Sequence, residues 1–145
     1  MASLNTHDTP TFAGFWQEKD IEDRLALGLL SSQQSQIERQ QRASIREALI
    51  TYLKSRGWLE GESPEPLAIM RAWLSQLATG DAYLLLLNLE DLWLEPLPQN
   101  VPGTWEERPN WKRKARFSLD EIRKMDSVTE ILKAIDEIRS RAASS

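Results

Sequence analysis

Cysteine is absent from the 145-residue sequence, which excludes disulfides and thiolate-based metal sites. Histidine occurs once, at His7, leaving too few ligands for an ordinary zinc centre. No metal and no cofactor is expected. Long hydrophobic runs are missing too. The longest, residues 82–87, falls far short of the roughly 20 residues that a membrane-spanning helix needs, so no membrane partner is expected. The N-terminal MASLNTHD shows no basic segment followed by an apolar one, so a secretory signal is not expected and a cytoplasmic protein is. There is no basic excess: 18 basic against 22 acidic residues give a net charge of −4, the wrong sign for a phosphate-binding face. Nucleic acid is therefore not expected as a partner. No internal repeat is visible.

What remains is the composition of a globular domain, 41% apolar and 28% charged, long enough for one core of its own. Residues 1–16 mix Thr, Pro and Gly with Phe12, Phe15 and Trp16, and read as a loop entering a short helix. Thr9 is a candidate cap for it, with Pro10 at the first helical position, where a missing N–H costs little. Residues 20–30 read as a short amphipathic helix with Ile21, Leu25 and Leu29 on one face. A longer helix is expected over 33–56, where Ile37, Ile45, Leu49, Tyr52 and Leu53 share a stripe. Gly57 should end it in the left-handed conformation, with Trp58 and Leu59 folding back as anchors. A third helix is expected from Pro66 to Gly80, with Leu67, Met70, Trp73, Leu74 and Leu77 inward.

Residues 82–89, AYLLLLNL, show no polar alternation. Read as a strand, they should be buried on both faces, as in parallel sheets covered by helices. Periodicity alone does not exclude a helix here; length and the preceding Gly80-Asp81 favour the strand. Residues 95–117 hold Pro96, Pro98, Pro102, Gly103 and Pro109 with Trp105 and Trp111 between them, the mark of a long ordered loop of the functional kind. Two helices should close the chain, with capping boxes at Ser118/Glu121 and Ser127/Glu130. In the second, Val128, Ile131, Leu132, Ile135 and Ile138 form an apolar stripe. The tail SRAASS should fray. The only other candidate strand is the short run before His7. A doubly buried strand with so few neighbours implies the terminal portion of an alternating α/β architecture, with most of its sheet missing.

Three motifs carry candidate chemistry. Asn5-Thr6-His7-Asp8-Thr9-Pro10-Thr11 sets an imidazole and a carboxylate at a strand end; taken alone it reads more simply as a helix cap beside a surface histidine. Asn88-Leu89-Glu90-Asp91-Leu92 puts two carboxylates after the apolar strand, either as a solvated junction or as a polar cluster at a pocket mouth. Asn100-Val101-Pro102-Gly103-Thr104, followed by Pro109-Asn110-Trp111-Lys112-Arg113-Lys114, offers hydrogen-bonding side chains and a tryptophan for a sugar face, or an ordered loop packed on the body. Of the six tryptophans, Trp58 and Trp73 belong to the core by position, and Trp105 and Trp111 stay open.

In order and spacing, THDTPT with FAGFW, then LLLNLEDLW, then NVPGT with PNWKRK resemble the C-terminal third of 4-alpha-glucanotransferases (amylomaltases), glycoside hydrolase family 77. The likeness runs from about Ser3 to about Lys114, and the NVPGT/PNWKRK pair is its most specific part. It implies an α/β fold: a predominantly helical C-terminal fragment of a (β/α)8 TIM barrel, forming a single incomplete domain. The long strand would be about 82–89 and the short one would precede His7. It implies that Asp8 is the carboxylate that stabilises the transition state, and that His7 contacts the sugar beside it. Asn88, Glu90, Asp91, Asn100, Thr104 and Trp111 would bind substrate, a maltooligosaccharide or other α-1,4-glucan. A retaining transfer also needs a nucleophile and an acid/base carboxylate, roughly 5–5.5 Å apart. In the family both lie upstream of the matched region. The chain alone is expected to be inactive, with the missing N-terminal portion as a candidate partner chain. The competing expectation is a stand-alone helical module that binds glucan or protein without catalysis.

Overall fold

The structure, a computed structural model, describes residues 1–143. Its elements in chain order are β1 (Ala2–Ser3), α1 (Phe12–Trp16), α2 (Lys19–Ala26), α3 (Ser32–Ser55), α4 (Pro66–Ala78) and β2 (Leu85–Leu86). A 3-10 helix (Leu89–Trp93), α5 (Leu119–Ile122) and α6 (Asp126–Ala143) complete the chain. The protein is mostly helical, with one small parallel sheet in which Ala2 pairs with Leu85 and Ser3 with Leu86.

The short strand before His7 and the parallel pairing are as expected; the doubly buried strand over 82–89 is not. Only Leu85 and Leu86 are in strand, and Tyr83 is 89% exposed, with Leu84 and Leu86 also facing solvent. Leu85 and Leu87 pack on the core instead. The two-residue alternation of a strand therefore holds, one face inward and one outward. Four identical leucines in a row hide that alternation in the sequence. Among the described residues β2 has a strand neighbour on one edge only, and a single two-residue partner cannot extend it.

The core lies where α4 meets α6, α3 and α1, built on Leu53, Ile69, Met70, Leu74, Leu92, Val128 and Ile131. Trp58 and Trp73, expected in the core, are half-buried and pack against it from the rim. The α3 stripe is a correction. Leu53 is buried and Leu49 half-buried, but Ile37, Ile45 and Tyr52 are exposed. At 24 residues α3 is roughly 36 Å long, and its N-terminal half faces α2 rather than the core. That interface is polar. Arg42, buried, makes a fork to Asp20 at 2.8 and 2.9 Å, donates to the Phe15 carbonyl and lies 3.8 Å over the Phe15 ring. Arg39 and Arg46 clasp Glu18, and Arg24 pairs with Glu38. Leu25 and Leu29 are exposed too: Ile21 is the buried residue of α2, and the helix ends at Ala26, which leaves Leu29 beyond it.

Caps explain several boundaries. Thr11 rather than Thr9 caps α1, its Oγ1 accepting the Gly14 N–H at 3.0 Å, while Thr9 is occupied in a turn with Thr6. Ser31 and Gln34 form a capping box on α3. Gly57, at φ 74°, ends that helix, and the Trp58 N–H returns to the Leu53 carbonyl at 3.0 Å. The Ser118/Glu121 box is present. The one expected at Ser127 is not, because α6 starts at Asp126 and takes Ser127 into the helix. Val128, Ile131 and Ile135 are buried as the stripe predicted, with Leu132 half-turned to solvent. Helix α6 runs to Ala143; positions 144 and 145 of the tail lie outside the described residues. No helix among the described residues is long and apolar enough to cross a membrane.

Candidate functional site

Residues 5–10 form a tight turn between β1 and α1. The Thr9 hydroxyl donates to the Thr6 carbonyl at 2.8 Å, and the Asp8 N–H donates to Thr6 Oγ1 at 3.3 Å. These bonds push His7 and Asp8 out of the fold, and both are exposed. Each then meets the loop that follows the 3-10 helix. Asn100 Nδ2 donates to Asp8 Oδ1 at 2.7 Å, across 92 positions of sequence. The Trp111 ring sits edge-on to the His7 imidazole with centroids 5.2 Å apart.

That loop has no regular structure but is densely bonded. Asn110 accepts the Val101 N–H at 3.0 Å and donates to the Thr104 carbonyl at 3.1 Å, clamping the Pro102-Gly103 turn. The Trp111 N–H donates to the Gln99 carbonyl at 2.9 Å. Trp111 itself has φ 58°, a left-handed conformation that bulky residues rarely adopt and that costs on the order of 1–3 kcal/mol. Arg113 reaches the buried Glu95 at 2.9 Å, and Arg108 reaches Asp23 on α2 at 2.6 Å.

The eight residues singled out in the sequence do not all share one surface. Two adjoining cavities open at the turn, with Thr9 and Pro98 in the wall of both. The smaller, about 130 Å³, is lined by His7, Asn88, Glu90 and Trp111. The larger, about 640 Å³, is lined by Asp8 and Asn100 together with Lys19, Asp23 and Arg24 of α2 and Leu97, Val101 and Arg108 of the loop. Thr104 and Asp91 line neither. Thr104 is buried, its hydroxyl donating to the Val101 carbonyl at 2.7 Å. Asp91 is 2% exposed and accepts the Phe12 N–H at 2.7 Å, which holds the start of α1 against the 3-10 helix. Burial pushes the Asp91 carboxyl above its ordinary value, against the lowering pull of the Phe12 N–H and the Asn5 amide. Among the described residues its Oδ2 has no hydrogen-bond partner.

Sequence reasoning passed over the α2 wall, because Asp23 and Arg24 look like ordinary solvated charges on an amphipathic helix. It gave no role to Asn5, the first residue of the His-Asp motif, whose amide donates to the Pro10 carbonyl at 3.3 Å and whose Oδ1 accepts from Asn88. An Asn opening a turn was the available signal.

The arrangement brings together residues from the first 26 positions and from positions 88–113, and comparison with known proteins matches a span that contains both. A family profile described as 4-alpha-glucanotransferase matches residues 1–120. The chain belongs to the 4-alpha-glucanotransferase family. A 4-alpha-glucanotransferase of Haemophilus influenzae is 30% identical over 122 residues, covering 78% of this chain and 17% of that protein. One from Mycobacterium bovis is 31% identical over 113 residues, covering 77% of this chain and 16% of that protein. The chain therefore spans about a sixth of the length of the curated relatives it matches. The turn of residues 5–10, the 3-10 helix and the Asn110 clamp all fall within the family match.

Proposed function

We propose that this chain is the substrate-side C-terminal part of a cytoplasmic 4-alpha-glucanotransferase, an incomplete single domain of a (β/α)8 barrel, acting on α-1,4-glucans. In this reading Asp8 hydrogen-bonds the sugar hydroxyls at the reacting residue. Those bonds strengthen as oxocarbenium character develops, so they favour the transition state over the bound substrate. His7 binds beside it, with Asn88, Glu90 and Trp111 lining the small cavity and Asn100 holding one Asp8 oxygen so that the other faces the ligand. Asp91 and Thr104 act from beneath, by holding α1 and the Pro102-Gly103 turn. The observation that carries the reading is the Asn100–Asp8 bond, which joins the NVPGT and THDTPT motifs at the mouth of a cavity. The nucleophile and acid/base would come from an upstream segment, in cis or as a separate chain, and the 145-residue chain by itself would not turn over.

Two measurements test this. The purified chain should release no glucose from maltotriose; robust release overturns the need for upstream carboxylates. Fused behind the upstream portion of the Haemophilus influenzae relative, it should transfer glucan, and Asp8→Asn should cut kcat by roughly 10²–10³-fold, the scale of losing a transition-state hydrogen-bond partner. An unchanged kcat overturns the role of Asp8. A second reading, a non-catalytic glucan- or protein-binding module, draws on Trp105, which is 82% exposed. It requires tight maltooligosaccharide binding by the isolated chain and indifference of the fusion to Asp8.

A further inference from the structure

Asn5 lines neither cavity, yet its side chain closes the turn that bears His7 and Asp8. We propose that Asn5 is a positioning residue: its carboxamide, tied to Asn88 on one side and to the Pro10 carbonyl on the other, locks the turn to the end of the sheet and so aims His7 and Asp8 into the site. This rests on the reading of that turn as substrate-facing.

The turn touches the rest of the fold in several places, and they are not equivalent. His7 meets Trp111 and Asp8 meets Asn100, but both partners sit on the irregular loop, whose own position must be set by something else. The hydrogen bonds of Thr6 and Thr9 stay, among the described residues, within the turn. Asn5 differs. Its Nδ2 ties the two ends of the turn together through Pro10, and its Oδ1 takes the amide of Asn88, two residues after β2. The turn is thereby referenced to the sheet, the part of the site with a backbone ladder behind it.

A carboxamide suits this position because it offers a donor and an acceptor on one short side chain. Aspartate has no donor for Pro10 and would set a second carboxylate beside buried Asp91. Leucine, of similar size, offers neither bond.

The test uses the full chain and needs no activity. His7 is the only histidine, so its ring signals in a proton NMR spectrum identify themselves. The Trp111 ring displaces them, and Trp111→Leu calibrates that displacement. Asn5→Leu should remove most of it, whereas Leu74→Ala, which weakens the core without touching the turn, should leave it in place. If Asn5→Leu does not fold cooperatively, Asn88→Leu cuts the same tie from the strand side and should give the same displacement. His7 signals that stay at their wild-type positions in the folded Asn5 or Asn88 variant overturn the proposal. His7 signals that are unmoved by Trp111→Leu overturn instead the convergence of turn and loop on which the functional reading rests.

Discussion

Gly14 lies in the first turn of α1, in the FAGFW segment, and the structure states what a side chain there would meet. A methyl group added at Gly14 falls 2.6 Å from the Pro96 carbonyl oxygen and 2.9 Å from Thr11 Oγ1. Both are well inside van der Waals contact, and the first is backbone, so it cannot be relieved by rotating a side chain. Overpacking of this kind costs about 1–3 kcal/mol. The second clash strikes the oxygen that caps the helix, and weakening that cap costs about 1 kcal/mol more. Against this, alanine is about 1 kcal/mol better than glycine inside a helix. The packing terms win, and Gly14→Ala should destabilise the chain by about 1–3 kcal/mol. For a chain of this length, a loss near the middle of that range lowers the melting temperature by roughly 4–8 °C. The strain should not stay local: Pro96 leads directly to Leu97 and Pro98, and Pro98 lines both cavities. Urea unfolding followed by tryptophan fluorescence measures the loss. Gly80→Ala, where the methyl meets only the Leu77 carbonyl at 3.4 Å, is the control and should be close to neutral. If Gly14→Ala is as stable as the parent or more so, helix propensity outweighs the contact and the packing of α1 on Pro96 described above is wrong.

Two further outcomes follow from buried charge. The Asp91 carboxyl is raised above the ordinary aspartate value of 3.8, first because it is buried, so the native chain holds that proton more tightly than the unfolded chain does. Its contribution to stability therefore falls as pH climbs from about 3.8 through the raised value, and Asp91→Asn, which keeps an oxygen for the Phe12 N–H, has no such loss. The stability of Asp91→Asn relative to the parent should rise with pH across that window; a flat or falling difference in urea titrations at stepped pH refutes it. Arg42→Ala strips the fork from Asp20 and leaves that mostly buried carboxylate only the longer Arg24 contact at 3.7 Å, and should cost up to about 3 kcal/mol by thermal or urea unfolding. Arg42→Lys restores the charge but not the two parallel bonds, and should recover only part of that. Equal stability of all three proteins would show that α2 is held by something other than this ion pair.

Much of the chain was legible because local rules decide it. Gly57, Ser118 with Glu121, and Pro66 mark helix ends through backbone chemistry confined to a few residues, and they stand where the sequence places them. The α6 stripe was legible because a helix on a core must present apolar residues at that spacing. The strand at 82–89 was misread in its burial, because a run of leucines carries no record of which face has a neighbour. The α3 stripe was misread for the converse reason. Ile37 and Ile45 satisfy helical periodicity, but the matching surface of α2 carries Glu18 and Asp20, and arginines win that face. Within the site, His7, Asp8 and Asn100 were legible as motifs, while Asn5 and the α2 wall acquire meaning only from what lies opposite them.

By itself the sequence determined the family, the order of the helices, and the identities of the His-Asp pair and of the Asn and Trp residues that answer it. Those depend on residue types at fixed spacing, which a linear chain displays in full. Only the tertiary structure decided that Asn100 grips Asp8, that Trp111 rests on His7, and that Asp91 and Thr104 lie beneath the surface. The reason is one of distance. Contacts between positions some 80 to 100 residues apart are chosen by how α1, the 3-10 helix and the loop pack on a shared core, and no local pattern encodes which of several polar side chains will face a cavity and which will be buried holding it open.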